Sequence, residues 1–266
     1  MTYTLALAQC VHPADGNVVA QVRSYARQAA DQGADLLVFP ESLMTPYEKE
    51  KGAFLAEAEP LNGPFALAVD AIAQEYGLWM VYTVNEKNQR EGAANRNPFN
   101  TAVVVDPAGK KQGVHRKTHL FDTDFTKESD RMASGDALFT PIDTPFCRLG
   151  VGICYDLRFP EVARHAALAG ANLMLYPAAW VDGPGKADHW RTLLRARAIE
   201  NEMFVAGVCR ADAGRIGQSL VAGPRGEVIA QAGRRQQLLV TKVDNAEIET
   251  VRAAMPVFDH RRPELY

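Results

Sequence analysis

The sequence predicts an α/β fold with layered sheets and helices on the outside. Three observations carry this. Short apolar runs of strand length alternate with segments of helical period along the whole chain. Glycine or proline closes many of these segments, and hairpin turns are inserted between some strands. No low-complexity linker interrupts the alternation, so residues 1–266 are expected to form a single domain, with 255–266 as a C-terminal tail.

Each element follows in order. TYTLALAQ (Thr2–Gln9) reads as a buried strand. Residues 17–32 carry apolar side chains at helical spacing, with Gly33 as a stop. ADLLVFPES (34–42) is a short apolar strand ended by Pro40, 65–76 a helix closed by Gly77, and 78–84 the next strand. TAVVVDPAGKKQGVHRK makes two strands around a Pro-Ala-Gly turn. Residues 148–154 form a strand and 161–170 a helix; NLMLYPAAW is a strand and 188–201 a helix. MFVAGVCR is a strand, SLVAGPRGEVIAQAG a hairpin, LLVTKVD a strand and 245–254 the last helix.

Bulk properties exclude some functions. A chain 47% hydrophobic and 23% charged has an ordinary soluble composition with enough apolar residues for a large core. A net charge of -3 offers no basic surface for nucleic acid. No apolar run approaches the roughly 20 residues that span a bilayer, and MTYTLALAQC lacks the basic start of a secretion signal. The expected location is cytoplasmic, with no membrane partner. Cys10, Cys147, Cys154 and Cys209 show no C-x-x-C pairing, so no disulfide framework is expected. His115 and His119 are four apart, but no third ligand follows at zinc spacing, so no metal is expected.

QGADLLVFPES and AGANLMLYPAA align without gaps, as though one helix-end, glycine, strand and proline unit were used twice. The residue after proline is Glu41 in the first copy and Ala178 in the second. An acid just beyond a buried strand is costly without a partner or a task; a plain loop or capping carboxylate is the alternative. Lys117 lies among polar and aromatic residues in VHRKTHLFD, where a solvated surface charge is the plain reading. Cys154, in LGVGICYDLRFPE, is either a small core residue or a nucleophile at a strand end. Together the three suggest one chemistry. A cysteine attacks as thiolate and needs a base; a desolvated glutamate supplies it; a lysine ammonium stabilises thiolate and oxyanion.

The segments FPES, HRKTHLFD and GICYDLRFPE, in this order, resemble the Glu–Lys–Cys motifs of the nitrilase superfamily of carbon–nitrogen hydrolases, and the likeness spans nearly the whole chain. The resemblance implies a four-layer α-β-β-α sandwich, usually assembled as a homodimer. It implies Glu41 as general base and acid, Lys117 as oxyanion stabiliser and Cys154 as nucleophile; Glu128, in TKES, matches a further glutamate that positions the lysine. DHWRTLLRARAIEN and MPVFDHRRPELY are most similar to the deaminated-glutathione amidase and omega-amidase branch, whose members hydrolyse an amide beside a carboxylate. The loop PAAWVDGPGKADHW departs from the small, threonine-rich turn of the animal enzymes.

The implied reaction uses a small-molecule amide, a thioester on Cys154, an oxyanion held by Lys117 and the Tyr155 backbone N–H, and no cofactor. Arg158 either binds a substrate carboxylate or pairs with Asp156 or Glu161; Trp180 is either a pocket wall or a packed surface aromatic. His189 and Trp190 are expected to cap or pack the helix they open, and Cys10, Cys147 and Cys209 to be core. Rival activities are hydrolysis of a nitrile or simple aliphatic amide; rivals of another class are an idle scaffold or a thiol redox sensor. Against the sensor, Cys147 would sit roughly 23 Å from Cys154 at strand rise. In the tail, Phe258, Arg261, Arg262 and Tyr266 are expected to anchor a symmetric dimer, the alternative being a tail folded back on its own subunit.

Overall fold

Side-chain alternation along the strands sets the layers. In β1 (Thr2–Gln9), Leu5 and Leu7 enter one apolar cluster and Ala6 and Ala8 another on the opposite face. β2 (Leu36–Val38) repeats the split, with Leu36 and Val38 on one side and Leu37 on the other. β4 (Phe99–Val105) does so with Ala102 and Val104 against Val103 and Val105. A sheet apolar on both faces must be covered on both. The structure, a computed structural model describing residues 1–47, 49–90 and 96–265, covers one face with α1 (Val18–Asp31) and α3 (Pro64–Tyr76) and the other with a second sheet.

The first sheet also holds β3 (Trp79–Glu86), β5 (Lys111–Arg116) and β12 (Gln237–Asp244), in the order β12-β1-β2-β3-β4-β5. The second runs β11 (Val228–Gln231), β10 (Leu220–Ala222), β9 (Phe204–Cys209), β8 (Leu173–Ala178), β7 (Arg148–Val151) and β6 (Ile142–Asp143). Three central strands are parallel in each sheet, β1-β2-β3 and β7-β8-β9, and antiparallel strands flank them. The repeated units thus supply β2 and β8, the middle strand of each parallel trio. α4 (Pro160–Leu168) and α5 (Lys186–Asn201) cover the outer face of the second sheet. A Cβ on Gly207 of β9 would meet Trp190 Cζ2 at 2.4 Å, so only glycine admits α5 this close. The result is the expected α-β-β-α order.

Several boundaries differ from the sequence reading. The strand expected over 148–154 ends at Val151, because Cys154 has a φ of 46°, which no ladder residue adopts. A short 3₁₀ turn, Cys154–Arg158, begins there instead. The strand expected over 34–42 is confined to Leu36–Val38. α5 begins at Lys186, two residues early, and α4 opens on Pro160, where its missing N–H costs nothing. α2 (Lys51–Ala56) and β6 carry too few residues for a periodic signal and were not predicted.

The tail follows α6 (Ala246–Ala254). Phe258, expected as a dimer anchor, is half-buried against its own subunit, with the guanidinium groups of Arg164 and Arg252 5.4 and 5.1 Å from its ring centre. The single chain already offers it an apolar shelf and two cations. Arg262 and Leu265 are exposed. Tyr266 lies outside the described residues.

Candidate active site

Parallel strands deliver their following loops to one sheet end, and there the predicted residues meet. Glu41 follows β2, Cys154 follows β7, and Lys117 follows β5 directly; Glu128 opens a short 3₁₀ turn farther along. All four line one cleft.

Lys117 is the hub. Its Nζ donates to Glu41 Oε1 at 2.9 Å and to Glu128 Oε1 and Oε2 at 3.0 and 2.7 Å. Each of the three is at most 3% exposed, so these are buried charges that only mutual pairing makes tolerable. Glu41 Oε1 also accepts from Asn100 Nδ2 at 2.8 Å, and Oε2 from the Ala179 backbone N–H at 2.8 Å. Asn100 holds Lys117 as well, through its carbonyl and the Lys117 N–H at 2.9 Å. Glu128 Oε2 accepts from the Phe121 N–H at 2.7 Å.

The electrostatics follow from this packing. Burial alone would raise the Glu41 carboxyl, but the Lys117 ammonium, the Cys154 thiol and the Ala179 N–H outweigh it and hold Glu41 below its ordinary value. Burial pushes the Cys154 thiol well up, and the neighbouring Glu41 carboxylate adds to this against Lys117. Burial disfavours the Lys117 charge, yet Glu128 and Glu41 more than offset it, so the ammonium persists. For Glu128, burial and the Glu41 carboxylate prevail over Lys117, and its carboxyl is raised. The arrangement therefore holds an ionised base beside a protonated thiol.

Burial does not single out Cys154. Cys10, Cys147 and Cys209 are buried as expected, and burial raises their thiols to about 11, 12 and 12. What distinguishes Cys154 is its backbone and its neighbours. Its left-handed conformation costs roughly 1–2 kcal/mol and is over-determined by its surroundings. Asp156, two residues on, accepts from the Ile153 N–H, the His119 N–H, Thr118 Oγ1, His115 Nε2 and His119 Nδ1 at 2.8 to 3.0 Å. Burial opposes its charge, but the hydrogen bonds from both histidines win and hold it well below the ordinary carboxylate range. Asp156 thus ties the turn that carries Cys154 to the segment on either side of Lys117. From α5, Arg197 Nε and Nη2 donate to the Leu157 carbonyl at 3.1 and 3.0 Å and fix the same turn.

The remaining predicted residues are placed as follows. Tyr155 lines the cleft at the start of the 3₁₀ turn, where the first N–H groups have no acceptor within the turn. Arg158 also lines it, its guanidinium 4.8 Å from the centre of the Trp180 ring. Of the two readings of Arg158, the ion pair with Asp156 or Glu161 is not formed among the described residues, Asp156 being held by the histidines. Trp180 is 4% exposed and forms a cleft wall rather than a surface contact. His189 is exposed, while Trp190 is buried and donates to the Gln218 carbonyl at 3.0 Å. His115 and His119, weighed as metal ligands, both turn onto Asp156. Tyr47, Phe121 and Lys186 line the cleft without having been singled out. No local signal marks them, although the departing loop that carries Lys186 drew attention.

A carbon–nitrogen hydrolase family model matches residues 4–253. The chain belongs to the carbon–nitrogen hydrolase family. It is 34% identical to human omega-amidase NIT2 over 276 residues, covering 100% of this chain and 97% of that protein. It is 34% identical to mouse deaminated glutathione amidase over 252 residues, covering 90% and 77%. Among solved structures, Nit3 of Saccharomyces cerevisiae, a member of branch 10 of the nitrilase superfamily, superposes with a TM-score of 0.87 at 29% identity, covering 98% of this chain and 97% of that one. The chain is accordingly a hydrolase of carbon–nitrogen bonds with the nitrilase-type fold. Among the described residues no helix is long and apolar enough to cross a membrane.

Proposed function

We propose that this carbon–nitrogen hydrolase cleaves the amide of a small carboxylate-bearing molecule through a thioester on Cys154. The observation that carries the reading is the position of Lys117 Nζ, within 2.9 Å of Glu41 and 2.7 Å of Glu128, in the cleft onto which Cys154 opens. Glu41 takes the thiol proton as sulfur attacks the amide carbon. The oxyanion is stabilised by Lys117 Nζ and the Tyr155 N–H. Collapse breaks the C–N bond, Glu41 returns the proton, and ammonia leaves. Water, deprotonated by Glu41, then attacks the thioester; the acid departs and the thiol is restored, so two easier steps replace one hard one. Neither step calls for a cofactor.

Glu128 acts through Lys117, holding its ammonium in place. Arg158, free of ion pairs among the described residues and stacked on Trp180, is the group suited to the substrate carboxylate. The amidase names of the relatives support this substrate class. The chain is proposed to act in the cytoplasm and to pair as a homodimer, with the exposed Arg262–Glu264 pair of the tail facing a second subunit.

The test is release of ammonia from 2-oxoglutaramate, glutamine analogues, aliphatic amides and a nitrile, and of cysteinylglycine from deaminated glutathione. Turnover of carboxylate-bearing amides by the wild type, and none by Cys154→Ala, is expected. Comparable turnover by Cys154→Ala, or activity confined to the nitrile, contradicts the proposal.

A further inference from the structure

The outer part of the cleft carries one more cation than a singly charged substrate needs. Lys117 is engaged inside by two carboxylates. Arg158 and Lys186 line the cleft and are half-buried, and among the described residues neither forms an ion pair. Of the acids near them in the chain, Asp156 is engaged by His115 and His119 and Asp182 by Arg234, and among the described residues Glu161 and Asp188 pair with neither cation.

One indole orders both cations. The Trp180 ring faces the Arg158 guanidinium, and its Nε1 donates to the Lys186 carbonyl at 3.0 Å. Gly185, with a φ of 71°, turns the chain so that Lys186 becomes the first residue of α5. The Lys186 ammonium then stands 5.5 Å from the centre of the Phe121 ring. A cation held against an aromatic face is partly desolvated and already ordered, so an incoming anion meets a prepared partner. The inner cluster sets two carboxylates against one ammonium, which turns the anionic end of a substrate outward towards these two cations.

We propose that Lys186 forms a second anion subsite beside Arg158, and that the enzyme favours small amides whose acyl part carries two carboxylates over singly charged amides. This rests on the reading of the cleft as the amidase site. Lys186 is a specificity-determining residue here: it acts on the remote end of the substrate.

The experiment compares butyramide, succinamate and the monoamide of propane-1,2,3-tricarboxylic acid, which carry no, one and two carboxylates. Wild type, Lys186→Met and Lys186→Arg are assayed for ammonia. The wild type is expected to prefer the doubly charged amide. Lys186→Met is expected to lower the ratio of kcat/KM for doubly over singly charged amide about tenfold, the scale of one charged hydrogen bond. The loss should fall on KM, and Lys186→Arg should restore most of the ratio. High salt should compress the wild-type ratio. A ratio unmoved by Lys186→Met, or an equal loss on butyramide, overturns the proposal. If the wild type hydrolyses none of the amides, the amidase reading itself fails. The subsite is then read by calorimetry with propane-1,2,3-tricarboxylate: weaker binding to Lys186→Met supports it, and equal binding overturns it.

Discussion

The backbone N–H of Ala179 donates to Glu41 Oε2 at 2.8 Å, joining two residues 138 positions apart that sit just past the prolines of the two repeated units. The first copy contributes an acid and the second a bare donor from the facing sheet. The carboxylate is thereby aimed from both sheets: Asn100 and Lys117 hold Oε1, and Ala179 holds Oε2. Glu41→Gln keeps the shape but cannot accept at both ends, since one terminus becomes an NH₂ donor. The variant should fold with little change in Tm and lose about 10³-fold or more in kcat/KM, the upper range for a general base. Ammonia assays and thermal unfolding together check this.

Lys117 separates stability from activity. Lys117→Met leaves Glu41 and Glu128 buried without their counter-ion, a change that should cost about 3–5 kcal/mol. Adding Glu128→Gln removes one orphaned charge and should recover part of that stability while activity stays absent. Denaturant unfolding of the single and double variants decides; a double variant no more stable than the single one contradicts the account.

The pH dependence has two opposite limbs. Glu41 is held below its ordinary 4.5, so its contribution to stability is present above pH 4.5 and is lost as pH falls through the lowered value. The acid limb of kcat/KM should accordingly lie below pH 4.5, the ordinary glutamate value. The structural thiols are raised from 9.0, so their contribution is complete below pH 9.0 and is lost as pH rises towards about 11 for Cys10 and about 12 for Cys147 and Cys209. Each should cost about 1.4 kcal/mol per pH unit over that window. Stability of Cys147→Ala, followed by denaturant unfolding, should fall less steeply with alkaline pH than that of the wild type, by about one proton.

Much of this was legible in the sequence. Strands with apolar residues on both faces and glycine-closed helices gave the layers, and Glu41, Lys117 and Cys154 stood out because an acid, a lysine and a cysteine sat where strands end. Other features were not legible, for physical reasons. Asn100 and the Ala179 N–H serve Glu41 from 59 and 138 residues away, and a backbone donor has no residue type to read. The left-handed turn at Cys154 carries no glycine to announce it; Asp156 and Arg197 impose it from outside. His115 and His119, read for metal, prove to serve Asp156 because α/β folding brings the lysine and cysteine loops together.

Asp156 therefore predicts a positional effect. Asp156→Asn keeps the size but removes the charge that fixes both imidazoles. We expect kcat to fall about tenfold to a hundredfold, the scale of losing an orienting partner, with a smaller change in KM. Ring-nitrogen shifts of His115 and His119 should move in the variant. A purely structural role for Asp156 would lower Tm and leave kcat per folded molecule intact.

The central claim is the covalent bond to Cys154, and acid-quenched mass spectrometry during turnover tests it most directly. The account predicts a mass increase equal to the acyl group less one hydrogen, mapped to the peptide containing Cys154, released by hydroxylamine and absent in Cys154→Ala. Steady amide turnover with an adduct on another residue, or undiminished turnover by Cys154→Ala, would contradict it.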